Sequence, residues 1–244
     1  RILIIILSDM WRLGLTKQSE NFLAEVLSTI QKIVSGIKGP DLIPGGAFWL
    51  TNVRELYSFV VYAEKTILHD DSYIDGIDDA EFKEYLKLIS DLRDDFEALS
   101  YNVYNLWVKK LEKDLEKKIV PAVVLSQSLP GFISSENNNL LPKFFNSNTP
   151  TYKMDDILTS LNNIYWSLKN YHVEAEIFTS ITTTLLKFID SVAFNDIIMR
   201  KNFLSWKRGL QLHYNVTRLE EWCKGLGPAT SPDTYSATAE FPGW

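Results

Sequence analysis

Apolar residues recur at three- and four-residue spacing through most of the chain. From Tyr101 onward, Tyr104, Trp107, Val108, Leu111, Leu115 and Ile119 keep that period, while Lys109, Lys110, Glu112, Lys113, Asp114, Glu116, Lys117 and Lys118 take the positions between. This is the pattern of an amphipathic helix, and the mixed sign of its charges marks a solvated face rather than a binding patch. Pro121 ends the pattern or opens a new one, since it has no N–H to continue the ladder. The segments "KMDDILTSLNNIYWSLKNYH" and "EAEIFTSITTTLLKFIDSVAFNDIIM" repeat the helical period, no segment sustains a period of two, and the β-branched "SITTTLL" is too short to outweigh its neighbours. The chain is expected to be all-α.

Punctuation divides these helices. "GIKGPDLIPGG" (Gly36 to Gly46) reads as a Gly/Pro loop, and Asn52-x-x-Glu55 and Asp78-x-x-Glu81 have the spacing of helix caps. Ser126 to Pro150, with three prolines and a cluster of Asn and Ser, reads as a long irregular or mobile connection. Asn195 to Tyr214 is expected to be a helix carrying Phe203, Trp206, Leu210 and Tyr214 on one face. Asn215-Val216 is read as an elbow before a new start at Thr217-x-x-Glu220, with Leu219 and Trp222 packing back.

Composition narrows the class. A chain of 244 residues, 45% apolar, can bury a core as one large domain or two small ones. A net charge of −6, without a basic stripe, argues against direct nucleic-acid binding. The longest apolar run, "ILIIIL" (Ile2 to Leu7), is far short of the roughly 20 residues of a bilayer crossing; it is read as a buried helix that starts upstream. No direct membrane insertion is expected. The single Cys223 permits no internal disulfide and fits a reducing, cytoplasmic setting. Asn215-Val216-Thr217 is formally a glycosylation sequon with nothing else pointing to secretion.

Chemistry finds little purchase. His172-x-Glu174 lacks the Pro-Cys-x-x-Cys half of a zinc-deaminase signature, and His172 with Glu176 has no third metal ligand. His69, beside Asp70 and Asp71, reads as an exposed loop, Cys223 as a packed thiol, and no phosphate-binding loop occurs. No catalytic residue, metal or cofactor is expected. A binding surface leaves another trace. In Met154 to His172 the core face is Ile157, Leu158, Leu161, Ile164, Tyr165 and Leu168, and the opposite stripe is Asp155, Thr159, Asn162 and Trp166, with Asn163 and Asn170 on its shoulder. Asp155, Asn162 and Trp166 nearly align at 100° per residue. A tryptophan among short polar side chains is either an interface anchor or a residue covered by another helix of the same domain.

"NFLSWKRGLQLHYNVTRLEEWCK", preceded by "MDDILTSLNNIYWSLKNYHVEAEIF", resembles the dilute-type globular tail of class V myosins, the budding-yeast type above all. "DLIPGGAFWLTNVRELYSFVVYA" and "DDFEALSYNVYNLWVKKLEKDLEKKIVPAVVLSQSLPGF" fit in the same order, so the resemblance runs from Arg1 to Lys224. It implies an all-α domain of elongated helical bundles joined by a long helix. The expected division is an N-terminal helical subdomain over 1–194, a linking helix and start of a second subdomain over 195–224, and an irregular tail over 225–244. The resemblance further implies a cytoplasmic domain on actin cables and cargo organelles that couples an actin motor to organelle, vesicle or ribonucleoprotein adaptor proteins. The motor head and the dimerising coiled coil lie outside it, so no ATP hydrolysis is expected of the chain. The adaptor role is carried to Asp155, Asp156, Leu158, Asn162 and Asn163, and Trp166 joins them through the stripe. The alternative is an autoinhibitory module that contacts the motor head, with Lys201, Lys207 and Arg208 as its candidate patch. After Lys224 the likeness stops at "GLGPATSPDTYSATAEFPGW", where Tyr235, Phe241 and Trp244 are expected to be either disordered or docked on a helical groove.

Overall fold

The computed structural model describes residues 2–69, 79–129, 151–200 and 205–226, and among them there are helices and no strand. In chain order these are α1 (Ile2–Arg12), α2 (Thr16–Gly36), α3 (Leu42–His69), α4 (Asp79–Ile119), α5 (Met154–Asn170), α6 (Ala175–Met199) and α7 (Trp206–Gly225). The chain divides into two compact units, residues 1–109 with 167–173 and residues 110–166 with 174–244. The 41-residue α4 supplies residues to both, as does α5. Asp70, Asp71, Asp78, Lys201, Phe203 and the tail from Gly227, with Tyr235, Phe241 and Trp244, lie outside the described residues. So does most of the expected connection, residues 130–150, whereas Ser126 to Gln127 is irregular as expected.

In the first unit α1 packs on α2 and α2 on α3. Leu23, Ile30 and Val34 of α2 and Ala47, Leu50, Val53 and Val60 of α3 recur at helical spacing and are all buried. The Trp11 ring stacks on Phe59 at 5.6 Å, and its Nε1 donates to the buried Ser19 hydroxyl at 3.1 Å. "ILIIIL" is helical, but it is not the buried helix expected: Leu7 is buried while Ile2, Ile5 and Ile6 are exposed. Nearly every position of that run is apolar, so its side chains point all round the helix while only one face meets α2.

The Gly/Pro loop is shorter than expected, ending in a single 3₁₀ turn at Gly39–Asp41. Gly45 and Gly46 lie inside α3, and Asn52 is mid-helix, its side chain donating to the Phe48 carbonyl at 2.8 Å instead of capping a new helix. The cause is a long-range contact. Trp107 of α4 is buried against the start of α3 and its Nε1 donates to the Leu42 carbonyl at 2.8 Å. A Cβ on Gly46 would sit 2.1 Å from that nitrogen, so only glycine lets the ring in.

In the second unit α4 passes at Ile119 into a π-helical turn, Val120–Leu125, which both α6 and α7 touch. Pro121 lies in this turn, where its missing N–H is compatible with a locally interrupted ladder. Helix α6 is, by length and composition alone, long and apolar enough to cross a bilayer. Its stripe Phe178, Ile181, Leu185, Ile189 and Ile197 is buried in the protein, so one face of this helix serves the core.

One helix over Asn195–Tyr214 followed by an elbow is not what forms. Helix α6 ends at Met199, and α7 begins at Trp206 with Ser205 as cap, its hydroxyl accepting from the Arg208 amide at 3.3 Å. Helix α7 then runs unbroken through Asn215, Val216 and Thr217. The Thr217 hydroxyl donates to the His213 carbonyl one turn back, at 2.9 Å, so it caps nothing. Asn215 is 0% exposed, and its Nδ2 donates to the carbonyls of Val123 at 2.9 Å and Ser126 at 3.3 Å. Tertiary bonding therefore takes the carboxamide that local chemistry would use in a turn, and it leaves the sequon unavailable for glycosylation.

Two substitutions test these contacts by chemical or thermal unfolding. Gly46→Ala forces Trp107 aside and is expected to cost roughly 1–3 kcal/mol. Asn215→Ala leaves two carbonyls short of a donor and is expected to cost about 1–3 kcal/mol. Stability within experimental error of the parent in either variant would contradict the corresponding contact.

Candidate binding face of α5 and α7

Helix α5 starts on a reciprocal cap. Asp156 Oδ2 accepts from the Lys153 amide at 2.7 Å, and the Asp156 amide donates back to the Lys153 carbonyl at 3.0 Å. Two carboxylates in the first turn also suit the positive end of the helix dipole. The inner face is anchored by apolar packing, with Ile157, Leu161, Ile164 and Leu168 buried. A polar strut from α4 adds to it: Lys118 Nζ donates to Ser160 Oγ at 2.9 Å and to Asp114 Oδ2 at 2.6 Å. Burial works against the Asp114 carboxylate, but its bonds to Lys118 and Lys117 outweigh that and hold its pKa below the ordinary value.

The outer face carries the stripe expected from the sequence. Asp155, Thr159, Asn162, Asn163 and Trp166 are all exposed. Trp166 is 53% exposed, its ring edge-on to Tyr165 at 5.2 Å. It is therefore not a residue closed off by another helix. Leu158 is half-buried, between the two faces, as is Tyr165. Asp156 is exposed but engaged in the cap, so its carboxylate is first a helix-starting group.

Sequence reasoning missed that α7 joins this face. Arg218 donates to Asp155 Oδ1, and Trp222 Nε1 donates to Asn162 Oδ1 at 2.7 Å. Asn215, Arg218 and Trp222 are three and seven positions apart, one side of a helix. The rotation of α7 that buries Asn215 therefore carries the arginine and the indole, on its following turns, to α5. A signal was present: a basic residue and a tryptophan at i+3 and i+7 from an asparagine. Only the pairing of the two helices gives it meaning. The expectation that Trp222 packs back on its own helix pair is corrected by this bond. Trp206, expected on an apolar inner face, is 77% exposed.

The candidates for chemistry do not converge. Among the described residues no three His, Cys, Asp or Glu side chains gather as a metal site requires. His172 is an exposed, left-handed residue (φ 55°) that closes α5, its amide donating to the Lys169 carbonyl at 3.1 Å. Burial, with help from Glu220, pushes the Cys223 thiol up to about 11. It is thus protonated at neutral pH and a poor nucleophile.

Residues 180–240 match the DIL domain family. Over 224 residues the chain is 69% identical to Myosin-2 of Lachancea kluyveri, an alignment that spans 92% of this chain and 14% of that protein. Its fold matches that of a solved Myo2-GTD in complex with Smy1 with a TM-score of 0.85 and 58% identity, over 97% of this chain and 55% of the other. A Myo2-GTD in complex with Mmr1 matches with a TM-score of 0.85 and 57% identity, over 97% of this chain and 55% of the other. The chain thus spans little more than half of these solved domains and a small part of the whole myosin.

The thiol gives a pH prediction. A raised pKa keeps the thiolate scarce until the pH nears about 11. Alkylation of the native chain by iodoacetamide at about pH 8 is expected to be much slower than in denaturant, and to accelerate as pH rises toward that value. Equal native and unfolded rates would show that Cys223 is not shielded.

Proposed function

Since the chain belongs to the class V myosin globular tails, close to those of budding yeast, we propose that it is a docking domain for cargo adaptor proteins. In this reading it couples an actin-based motor to organelles, vesicles or ribonucleoprotein particles, and it resides in the cytoplasm on actin cables and cargo. The segment carries no motor head and so no ATPase of its own. The observation that carries the proposal is the match, over 97% of the chain, to tails solved with Smy1 and with Mmr1 bound.

The adaptor site proposed within it is the α5 stripe Asp155, Asn162, Asn163 and Trp166, with Asp156 and Leu158 at its margins. What supports this placement is a solvent-facing tryptophan beside fixed polar groups, the combination that anchors protein interfaces. Autoinhibitory contact with a motor head is the second reading. Of its candidate patch, Lys207 is exposed, Arg208 is half-buried and Lys201 lies outside the described residues, so the stripe is the better-supported surface.

Titration of an Mmr1 fragment into the chain by calorimetry tests the reading. Asp155→Lys places like charge against Arg218 on the docking face and is expected to lower affinity at least about tenfold, a change of roughly 1.4 kcal/mol. The fold should survive, with a stability loss of about 1 kcal/mol expected because the substitution removes a first-turn carboxylate from the helix dipole and breaks the exposed pair with Arg218. Unchanged affinity would remove the stripe from the adaptor site, and absence of any Mmr1 binding by the parent chain would remove the adaptor reading for that partner.

A further inference from the structure

The bond from Trp222 fixes more than the position of α7. An indole Nε1 only donates, so the Asn162 atom that meets it at 2.7 Å has to be the carbonyl oxygen Oδ1. The amide is planar, and its Nδ2 therefore occupies the other arm, on a residue that is exposed. Left alone on a helix surface, an asparagine can present either arm to a partner. Here one arm is committed. Arg218 acts on Asp155 in the same way, neutralising a carboxylate that would otherwise give the stripe a net negative field, and Asp156 is tied to its own helix start.

We infer that Trp222 sets Asn162 as a hydrogen-bond donor, so that the face formed by α5 and α7 recognises a peptide segment offering a hydrogen-bond acceptor to Asn162 Nδ2 and an apolar side chain to Trp166. Such an acceptor is a backbone carbonyl or a side-chain amide oxygen. With Asp155 paired to Arg218, recognition rests on hydrogen-bond polarity and apolar contact rather than on charge attraction, and binding should depend only weakly on salt. Trp222 and Arg218 are positioning residues in this scheme. They hold the polarity of the stripe before the partner arrives, which lowers the ordering cost of binding. The inference rests on the adaptor reading above and specifies the chemistry of the partner at that site.

The test separates donor from acceptor. Asn162→Asp keeps an oxygen for Trp222 and removes the Nδ2 donors. Affinity for the Mmr1 fragment is expected to fall roughly tenfold or more. The loss should persist at about 0.5 M salt, where the added charge is screened. Trp222→Phe keeps the ring and removes the donor. The Asn162 amide is then free to turn, and affinity should fall severalfold with the melting temperature nearly unchanged. A merely structural Trp222 would instead lower stability and leave affinity alone. Parent-like binding by Asn162→Asp in high salt would overturn the donor assignment. If Asp155→Lys still abolishes binding in that case, the adaptor site stands and only its polarity was misassigned; if both variants bind as the parent does, the site itself fails.

Discussion

The second unit depends on one buried side chain. Asn215 has no water to satisfy it, and it finds its partners in the carbonyls of Val123 and Ser126, at and just beyond the π turn that follows α4. The unusual turn and the buried amide explain each other. Where the turn ends at Leu125 and Ser126 becomes extended, the last carbonyls lose the donors a continuing helix would supply, and an unsatisfied buried carbonyl costs about 1–3 kcal/mol. An asparagine from another helix supplies the donor. Gln211 extends the link, accepting from the Leu129 amide at 3.2 Å and donating to Asn215 Oδ1 at 3.3 Å. Two stretches distant in sequence, Val123 to Leu129 and Gln211 to Asn215, are thus joined by bonds that specify direction as well as proximity, which apolar packing alone does not.

That fixed rotation of α7 has consequences at its next turns. With Asn215 facing inward, Arg218 and Trp222 face α5, and the polar stripe there is paired rather than loose. In the adaptor site proposed above, freely rotating Asp and Asn side chains would lose entropy on every encounter. Here the loss has been taken on folding, and Trp166 stands exposed beside groups whose orientation is already chosen. The same logic separates this face from a catalytic centre. A catalytic centre gathers titratable groups with pKa values moved toward neutrality, whereas Cys223 is moved away from it.

Much of this was legible in the chain. The period of Trp107, Val108, Leu111, Leu115 and Ile119 set α4, and the buried set Ile157, Leu161, Ile164 and Leu168 set the inner face of α5, because a helix has only one way to hide residues spaced by three and four. The opposite stripe followed by subtraction. What misled were the local signals. Gly45, Gly46 and Pro44 look like a loop, and Asn52 and Thr217 look like caps, yet all of them lie inside helices. Capping chemistry is worth about 1 kcal/mol, and a buried Trp107 or a doubly bonded Asn215 outweighs it.

The sequence by itself therefore determined the all-helical class, the inner and outer faces of α4 and α5, and the family to which the chain belongs. These depend on periodicity and on long runs of matching residues, both of which are properties of one strand of text. Tertiary structure decided that Gly46 is a seat for an indole, that α7 passes through its apparent elbow, and that Asn162 presents its nitrogen while its oxygen is held by Trp222. Each of those outcomes depends on a partner 60 or more positions away in the chain. No local pattern encodes the rotation of one helix about its axis relative to another, and that rotation chooses which atom of a side chain meets its neighbour.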